Sequence, residues 1–310
     1  MHPLLRVMRR RDCIKELRMK NITTRILGIA SLPWIATSSL AVDFVGLTRE
    51  GDRLLRFDQT GSVSIDTPIS GLQAGDSLVD IDFFFSGDQR LYGLGTSGTL
   101  YTLNAATGSA TANVPNAALG LPTAIDFNPA ADRLRVFSGD SNFRITPNTG
   151  VVSSDGLLAY AAGDVNAGAN PNLRAAAYIN NVDSPGATSL FSIDSDLDTL
   201  NLHSGGPQFS ALNTIADLSL GGLPFDIGQD VGFDVLSLGV GLNHAFLSDG
   251  NDLYRINLAN GQLAALGTVA GNAQLRTIAV VVPEASTLYA GGSFAVLAAL
   301  MVQRRFARAR

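Results

Sequence analysis

The chain is poor in the residue types that most often carry chemistry. Its 310 residues include one cysteine, Cys13, one tryptophan, Trp34, and three histidines. All the lysine lies within the first 20 residues. Between Val42 and Val282 there is no cysteine, which excludes disulfides, thiolate nucleophiles and thiolate metal sites from that region. The same stretch has ten arginines and 24 acidic residues, of which Glu50 is the one glutamate, so its net charge is near −14. Such an acidic surface excludes nucleic acid, anionic lipid and polyanionic polysaccharide as partners held by charge. Without tryptophan, the region also lacks the best platform for stacking sugars. About 240 residues are nevertheless enough to build a core without covalent staples.

The two ends differ from the middle. Lys20 and Arg25 precede an apolar stretch at 26–36, and Ser39-Leu40-Ala41 follows as a small-x-small site. This order predicts a secretory signal peptide cut after Ala41. The alternative is a permanent anchor, which the short run and Pro33 disfavour. The basic segment before Met19 reads as an extended leader or as sequence upstream of the true start. At the other end, Val282-Pro283-Glu284-Ala285-Ser286-Thr287 precedes an uncharged run at 288–302, then Arg304, Arg305, Arg308 and Arg310. Physically this is a polar hinge, a short hydrophobic transmembrane helix and a positive stop held on the cytoplasmic side. The order resembles the PEP-type C-terminal sorting signal of secreted bacterial proteins. That resemblance implies export through the Sec translocon and transient anchoring. It further implies recognition at Val282, Pro283 and Glu284 by an exosortase in the membrane, then release to the cell surface or the extracellular matrix.

The middle is repetitive. Leu54-Leu-Arg-Phe-Asp58, Leu100-Tyr-Thr-Leu-Asn104, Asn142-Phe-Arg-Ile-Thr146, Leu190-Phe-Ser-Ile-Asp194 and Leu253-Tyr-Arg-Ile-Asn257 are alternating strands ending in a polar residue. Gly61, Gly108, Gly150 and Gly261 follow four of them within a turn. A preceding strand type includes Val45-Gly-Leu-Thr48 and Tyr92-Gly-Leu-Gly95. Before that comes a third type, Ile81-Asp-Phe83, Ile125-Asp-Phe127 and Gly232-Phe-Asp234, with Ala175-Ala-Ala-Tyr178 as the nearest match in the fourth unit. Four short antiparallel strands per forty to fifty residues predict an all-β, β-propeller-like domain over 42–282. The expected count is about five four-stranded blades. The first unit lacks its first strand, and Leu275-Arg-Thr-Ile-Ala-Val-Val-Val282 is a strand without a blade, so the two ends are predicted to close the ring. A β-solenoid or a sandwich is the alternative, since residues 212–230 fit no repeat.

Residues 44–282 also resemble a family of secreted bacterial domains of unknown function. The matching pieces are Val45-Gly-Leu-Thr48, Leu91-Tyr-Gly-Leu94, residues 100–108, Ile125-Asp-Phe-Asn-Pro129 and residues 161–172. The resemblance implies a propeller-like fold and no established activity.

Candidate chemistry is sparse. His203 and His244 have no partner at metal-ligand spacing and read as surface or turn residues. Gly93-Leu-Gly95-Thr-Ser-Gly98 fits the dinucleotide fingerprint by letters, but a strand follows it where that motif needs a helix. Asp194-Ser-Asp196-Leu-Asp198 spaces carboxylates as a calcium loop does, without the later glycine and glutamate. Asp164-Val-Asn166 offers oxygen ligands in a glycine-rich loop. For both loops Asx-turns are the competing explanation, and Ca2+ is the one cofactor the sequence suggests. Asp82, Asp126 and Asp234 recur in the presumed innermost strands, where they either converge on a central channel or cap strand edges. No catalytic residue is assigned. The expected role is a non-enzymatic binding or structural module. The alternative is a polysaccharide hydrolase or lyase working through paired Asp carboxylates on one face.

Overall fold

The computed structural model describes residues 41–85, 89–114, 119–272 and 274–282. The chain runs through five sheets whose main strands are antiparallel. Blade 1 contains β1 (Asp43–Thr48), β2 (Arg53–Asp58) and β3 (Val63–Pro68). Blade 2 contains β4 (Leu78–Phe83), β5 (Leu91–Gly95), β6 (Leu100–Leu103) and β7 (Ala110–Val114). Blade 3 contains β8 (Ala124–Asn128), β9 (Arg133–Ser138), β10 (Ser141–Ile145) and β11 (Val152–Leu157). After the short β12 (Ala159–Tyr160), blade 4 follows with β13 (Leu173–Tyr178), β14 (Leu190–Asp194), β15 (Thr199–Ser204) and β16 (Ala211–Asp217). Short strands β17 (Ser219–Leu220) and β18 (Leu223–Pro224) lead into blade 5. Its own strands are β19 (Val231–Ser237), β20 (Asn243–Asp249), β21 (Asp252–Ile256) and β22 (Gln262–Thr268). The last strand, β23 (Leu275–Val281), returns to blade 1.

That return closes the ring. β23 pairs antiparallel with β1, with Phe44 opposite Val280 and Gly46 opposite Ile278. Strands β23, β4, β8, β13 and β19 are the innermost of their blades, and each packs against the next around the ring. Leu275, Ile278, Ala279 and Val280 of β23 are all buried. At the seam with blade 5, the Phe44 ring meets Phe246 edge-on, with centroids 5.1 Å apart. Gly232 of β19 keeps this seam tight, since a Cβ there would stand 2.5 Å from the Ile278 amide nitrogen. Closure leaves β1 paired on both sides, by β2 and by β23, so its edge is not open.

Blades 4 and 5 depart from the four-stranded expectation. The connection into blade 4 adds β12 parallel to β16, and the connection into blade 5 adds β17 parallel to β22. Ser70, between blades 1 and 2, makes the corresponding parallel bridge to Ser109. Residues 212–230, which fit no sequence repeat, are thus the outer strand of blade 4 plus an outer cover for blade 5.

The polar residue ending each third strand starts a tight turn. Asp58, Asn104, Asp194 and Asn257 each accept the amide N–H two residues on, at 2.8–3.0 Å. Four turns finish on a glycine at positive φ. Gly108 shows why: a Cβ would lie 2.1 Å from the Pro68 carbonyl oxygen of the preceding blade. In blade 4 the position belongs to Asp198, at φ 53°. Asp and Asn tolerate that conformation better than other non-glycine residues.

Candidate functional site

The pleat sends alternate side chains of each innermost strand to one side, and the strand registers bring Asp82, Asp126, Ala177 and Asp234 to one level. They stand opposite Tyr92, Arg135, Phe191 and Phe246. All three aspartates are buried, and one carboxylate oxygen from each lies within 4.8 Å of the others. Each also ties its strand to the next blade. Asp82 Oδ2 accepts the Phe127 N–H at 2.7 Å, Asp126 Oδ1 the Tyr178 N–H at 2.9 Å, and Asp234 Oδ2 the Val280 N–H at 2.6 Å. Both readings of the recurring aspartate therefore hold: the carboxylates converge, and each caps a neighbouring strand.

Asp80, two residues before Asp82 and on the same face, repeats the tie by accepting the Ile125 N–H at 2.6 Å. It was not singled out from sequence. The alternation Asp80-Ile-Asp82 was the available signal, since period 2 puts both carboxylates on one side. Between blades 4 and 5 an amide takes over: Asn181 donates its backbone N–H to Ser237 Oγ and its side-chain N–H to the Val235 carbonyl.

Burial pushes the Asp80 carboxyl up to about 6 and the Asp234 carboxyl up to about 7. Asp82 and Asp126 are pushed well above the usual carboxylate range, by burial first and then by repulsion from Asp234 and Asp82 respectively. Chemically, such a set can share protons or surround a hard cation, because its ligands are all oxygen. Lying 2–5% exposed, these carboxylates are out of reach of a sugar ring. They form a clustered acid group, but not the carboxylate pair in a cleft that a glycosidase uses.

A pH dependence follows. Each of the four carboxyls has a folded pKa raised above its unfolded value. Such a contribution is complete below the unfolded carboxyl pKa and is lost as pH rises through the folded one, about 6 for Asp80 and about 7 for Asp234. His203 opposes this, because burial holds it at about 4; its contribution is present above pH 6.5 and lost as pH falls. For Asp80 the shift corresponds to ~3 kcal/mol, similar to that for His203, so four carboxyls outweigh one imidazole. In chelator, the urea midpoint is expected to fall between pH 4.5 and 7.5. Asp126→Asn, which keeps an acceptor for Tyr178, should raise the midpoint at pH 7.5 and leave it nearly unchanged at pH 4.5. A midpoint that climbs with pH in chelator would contradict the assignment.

A second polar centre joins blades 3 and 4. Arg135 is 1% exposed in the middle of β9. It donates to Tyr178 Oη at 3.1 Å, to Asn142 Oδ1 at 2.7 Å, to Asp155 Oδ2 at 2.5 Å and to the Pro207 carbonyl at 2.9 Å. Arg144 binds both oxygens of the same Asp155. Sequence reasoning passed over Arg135, although a charge in Leu134-Arg-Val136 stands where the other blades carry Tyr92 and Phe246.

His203 is not the surface residue expected. It is buried on β15, stacked on Phe137 with centroids 5.3 Å apart. Nδ1 donates to the Phe209 carbonyl at 2.8 Å, leaving Nε2 to accept the Ser192 hydroxyl at 2.8 Å. Ser192 is itself fully buried, so this pair is a packing contact. His244, in blade 5, accepts from Arg255 Nη2 at 2.7 Å.

The two candidate calcium loops are turn structures. Asp194 accepts from Tyr160 Oη and from the amides of Asn172, Asp196 and Leu197. Asp198 accepts the Ile227 N–H, and Asp196 accepts from Asn172 Nδ2. Asp164 makes an Asx-turn to Asn166 and receives the Thr214 amide and hydroxyl. Gly93 and Gly95 lie in β5, and Gly98 is in the hairpin to β6. Ser39 and residues 283–310, with Pro283, Glu284, the expected C-terminal helix, Arg304, Arg305, Arg308 and Arg310, lie outside the described residues. Ala41 and Val282 are the first and last described. Among the described residues no helix is long and apolar enough to cross a membrane.

Five blades, an inner ring tied by aspartates and a first blade completed by the last strand define a closed β-propeller. The chain belongs to the family described as domain of unknown function DUF4394, whose model matches residues 53–279. Solved structures similar to it include a nidogen/laminin complex, at 14% identity over 77% of this chain and 98% of that one, TM-score 0.48. Another is a protein of unknown function from Bacteroides caccae, at 11% identity over 78% and 99%, TM-score 0.44. A third, also of unknown function, comes from Bacteroides thetaiotaomicron, at 16% identity over 74% and 58%, TM-score 0.45. No curated protein sequence matches.

Proposed function

We propose that this chain is an exported, non-catalytic propeller module of the bacterial cell surface or extracellular matrix. The observation that carries the non-catalytic reading is how the inner-ring acids are used. Asp80, Asp82 and Asp234 each accept one backbone N–H at either carboxylate oxygen, one of the two from the next blade. Groups committed this way hold blades together and do not face a substrate. The acidic, lysine-free region between the two ends suits an extracellular protein and disfavours nucleic acid as a partner.

Export is supported by the order of features at the two ends. A basic segment, an apolar segment and the Ser39–Ala41 site precede the domain; the Pro283-Glu284 hinge, the apolar run and the arginines follow it. On this reading the Sec translocon moves the chain across the inner membrane, the C-terminal segment anchors it, and an exosortase cuts at the hinge. The last strand of the ring ends at Val281, so cleavage beyond it leaves the fold closed. Mass spectrometry of the protein recovered from its native host is expected to find ends near Val42 and near Pro283. A secreted form that retains Arg304 to Arg310 would reject the sorting step.

A further inference from the structure

We propose that the mouth of the central channel is a binding site for a small monocarboxylate, held by Arg174 with Arg276 beside it. The mouth is a cavity of about 160 Å³ to which all five innermost strands or their approaches contribute. Arg276 and Thr277 come from β23, Asp80 from β4, Thr123 from just before β8, Arg174 from β13, and Gln229 from the approach to β19.

Arg174 is the residue that asks for a ligand. Its Nε is buried and donates to nothing, and among the described residues no carboxylate or carbonyl pairs with its guanidinium. A buried donor without a partner is destabilising until a ligand supplies an acceptor, and its planar fork matches an oxyanion with two oxygens in one plane. The neighbouring groups are already committed. Asp80 receives the Ile81 and Ile125 N–H groups, one on each oxygen. Asp230 is paired with Arg49, whose carbonyl in turn accepts from Arg276 Nε. The acids therefore leave no free carboxylate to hold an ammonium group.

Charge and volume narrow the ligand. Arg49 and Asp230 cancel, and Asp80 offsets one of the two remaining guanidiniums, so the mouth carries one uncompensated positive charge. One uncompensated guanidinium balances one negative charge on a ligand. This favours a monocarboxylate over a doubly charged phosphate or sulfate. The cavity falls below the about 300–1,000 Å³ of sites for drug-sized ligands, which excludes a buried nucleotide or oligosaccharide and admits a small acid or a single uronate unit. The inference concerns the folded ring and does not depend on how the chain is exported.

The test is isothermal titration of the full chain with sodium acetate, lactate and D-glucuronate, with neutral glucuronamide and inorganic phosphate as comparisons. Saturable binding of at least one carboxylate is expected, with glucuronamide and phosphate weaker by about tenfold or more, since a charge-assisted fork is lost or mismatched. Arg174→Gln should abolish the binding. Because Arg174 has no partner among the described residues, the variant should keep the wild-type circular dichroism and melting temperature. Phosphate binding more tightly than every carboxylate, unchanged binding by Arg174→Gln, or no saturable binding by the wild type would each overturn the proposal. The glucuronamide comparison needs no variant and tests the charge requirement on its own.

Discussion

Replacing Arg135 by alanine is expected to destabilise the propeller by about 3–5 kcal/mol, the usual cost of removing one partner from a buried charge pair. The arginine is 1% exposed and serves both blades 3 and 4. Its loss strips Tyr178 Oη, Asn142 Oδ1 and the Pro207 carbonyl of their donor and leaves a void against Phe209, whose ring lies 5.6 Å from the guanidinium carbon. Asp155 would keep Arg144, so it would not become a bare buried charge. That remaining pairing argues for the lower half of the range. For a domain of this size the melting temperature should fall by ~10 °C. Arg144→Ala should cost less, because the Arg144 side chain is 27% exposed and water can replace part of what it gives. Differential scanning calorimetry of the two variants checks this, and a smaller loss for Arg135→Ala than for Arg144→Ala would contradict the assignment of Arg135 as the central tie.

Much of the ring was legible because its blades repeat the same physical solution. A strand that ends in a polar residue and then turns, on glycine in four of the five, marks a hairpin, and five such strands set the blade count. The recurring aspartate of Ile81-Asp-Phe83 and Ile125-Asp-Phe127 pointed to one level of the innermost strands. What it could not show was that this position both converges on the axis and reaches the next blade's N–H. That depends on how neighbouring strands sit across a blade interface, which no local pattern encodes.

Other features have physical causes too. Asp194-Ser-Asp196-Leu-Asp198 spaces its carboxylates as it does because blade 4 fills its turn with Asp198 where other blades use glycine. Once the glycine is gone, the repeat is disguised as a string of carboxylates. Arg135 was missed because a buried arginine reads as polar in a strand that alternation alone cannot place. His203 was taken for a turn residue because glycines follow it closely, yet the chain turns only after Ser204, leaving the imidazole in β15. Residues 212–230 fit no repeat because part of that segment covers the outer edge of the following blade, a pairing between blades that has no sequence period.

The ring depends on its first blade being completed by the last strand. Val280 and Ile278 pair with Phe44 and Gly46, and Val280 also donates its N–H to Asp234 of blade 5. Removing β23 would withdraw Leu275, Ile278 and Val280 from the core, each worth about 1.5–3 kcal/mol of burial. It would also expose Phe44, Val45 and Leu47, leave β1 with an open edge and take away the strand that packs against β19 of blade 5. That sum reaches the whole net stability of an ordinary domain, about 5–15 kcal/mol. The direct measurement is thermal unfolding of two truncations, one ending at Val282 and one at Gln274. The first should unfold cooperatively at the temperature of the full chain, and the second should show no cooperative transition. A chain ending at Gln274 that melts cooperatively at the same temperature would contradict ring closure by β23.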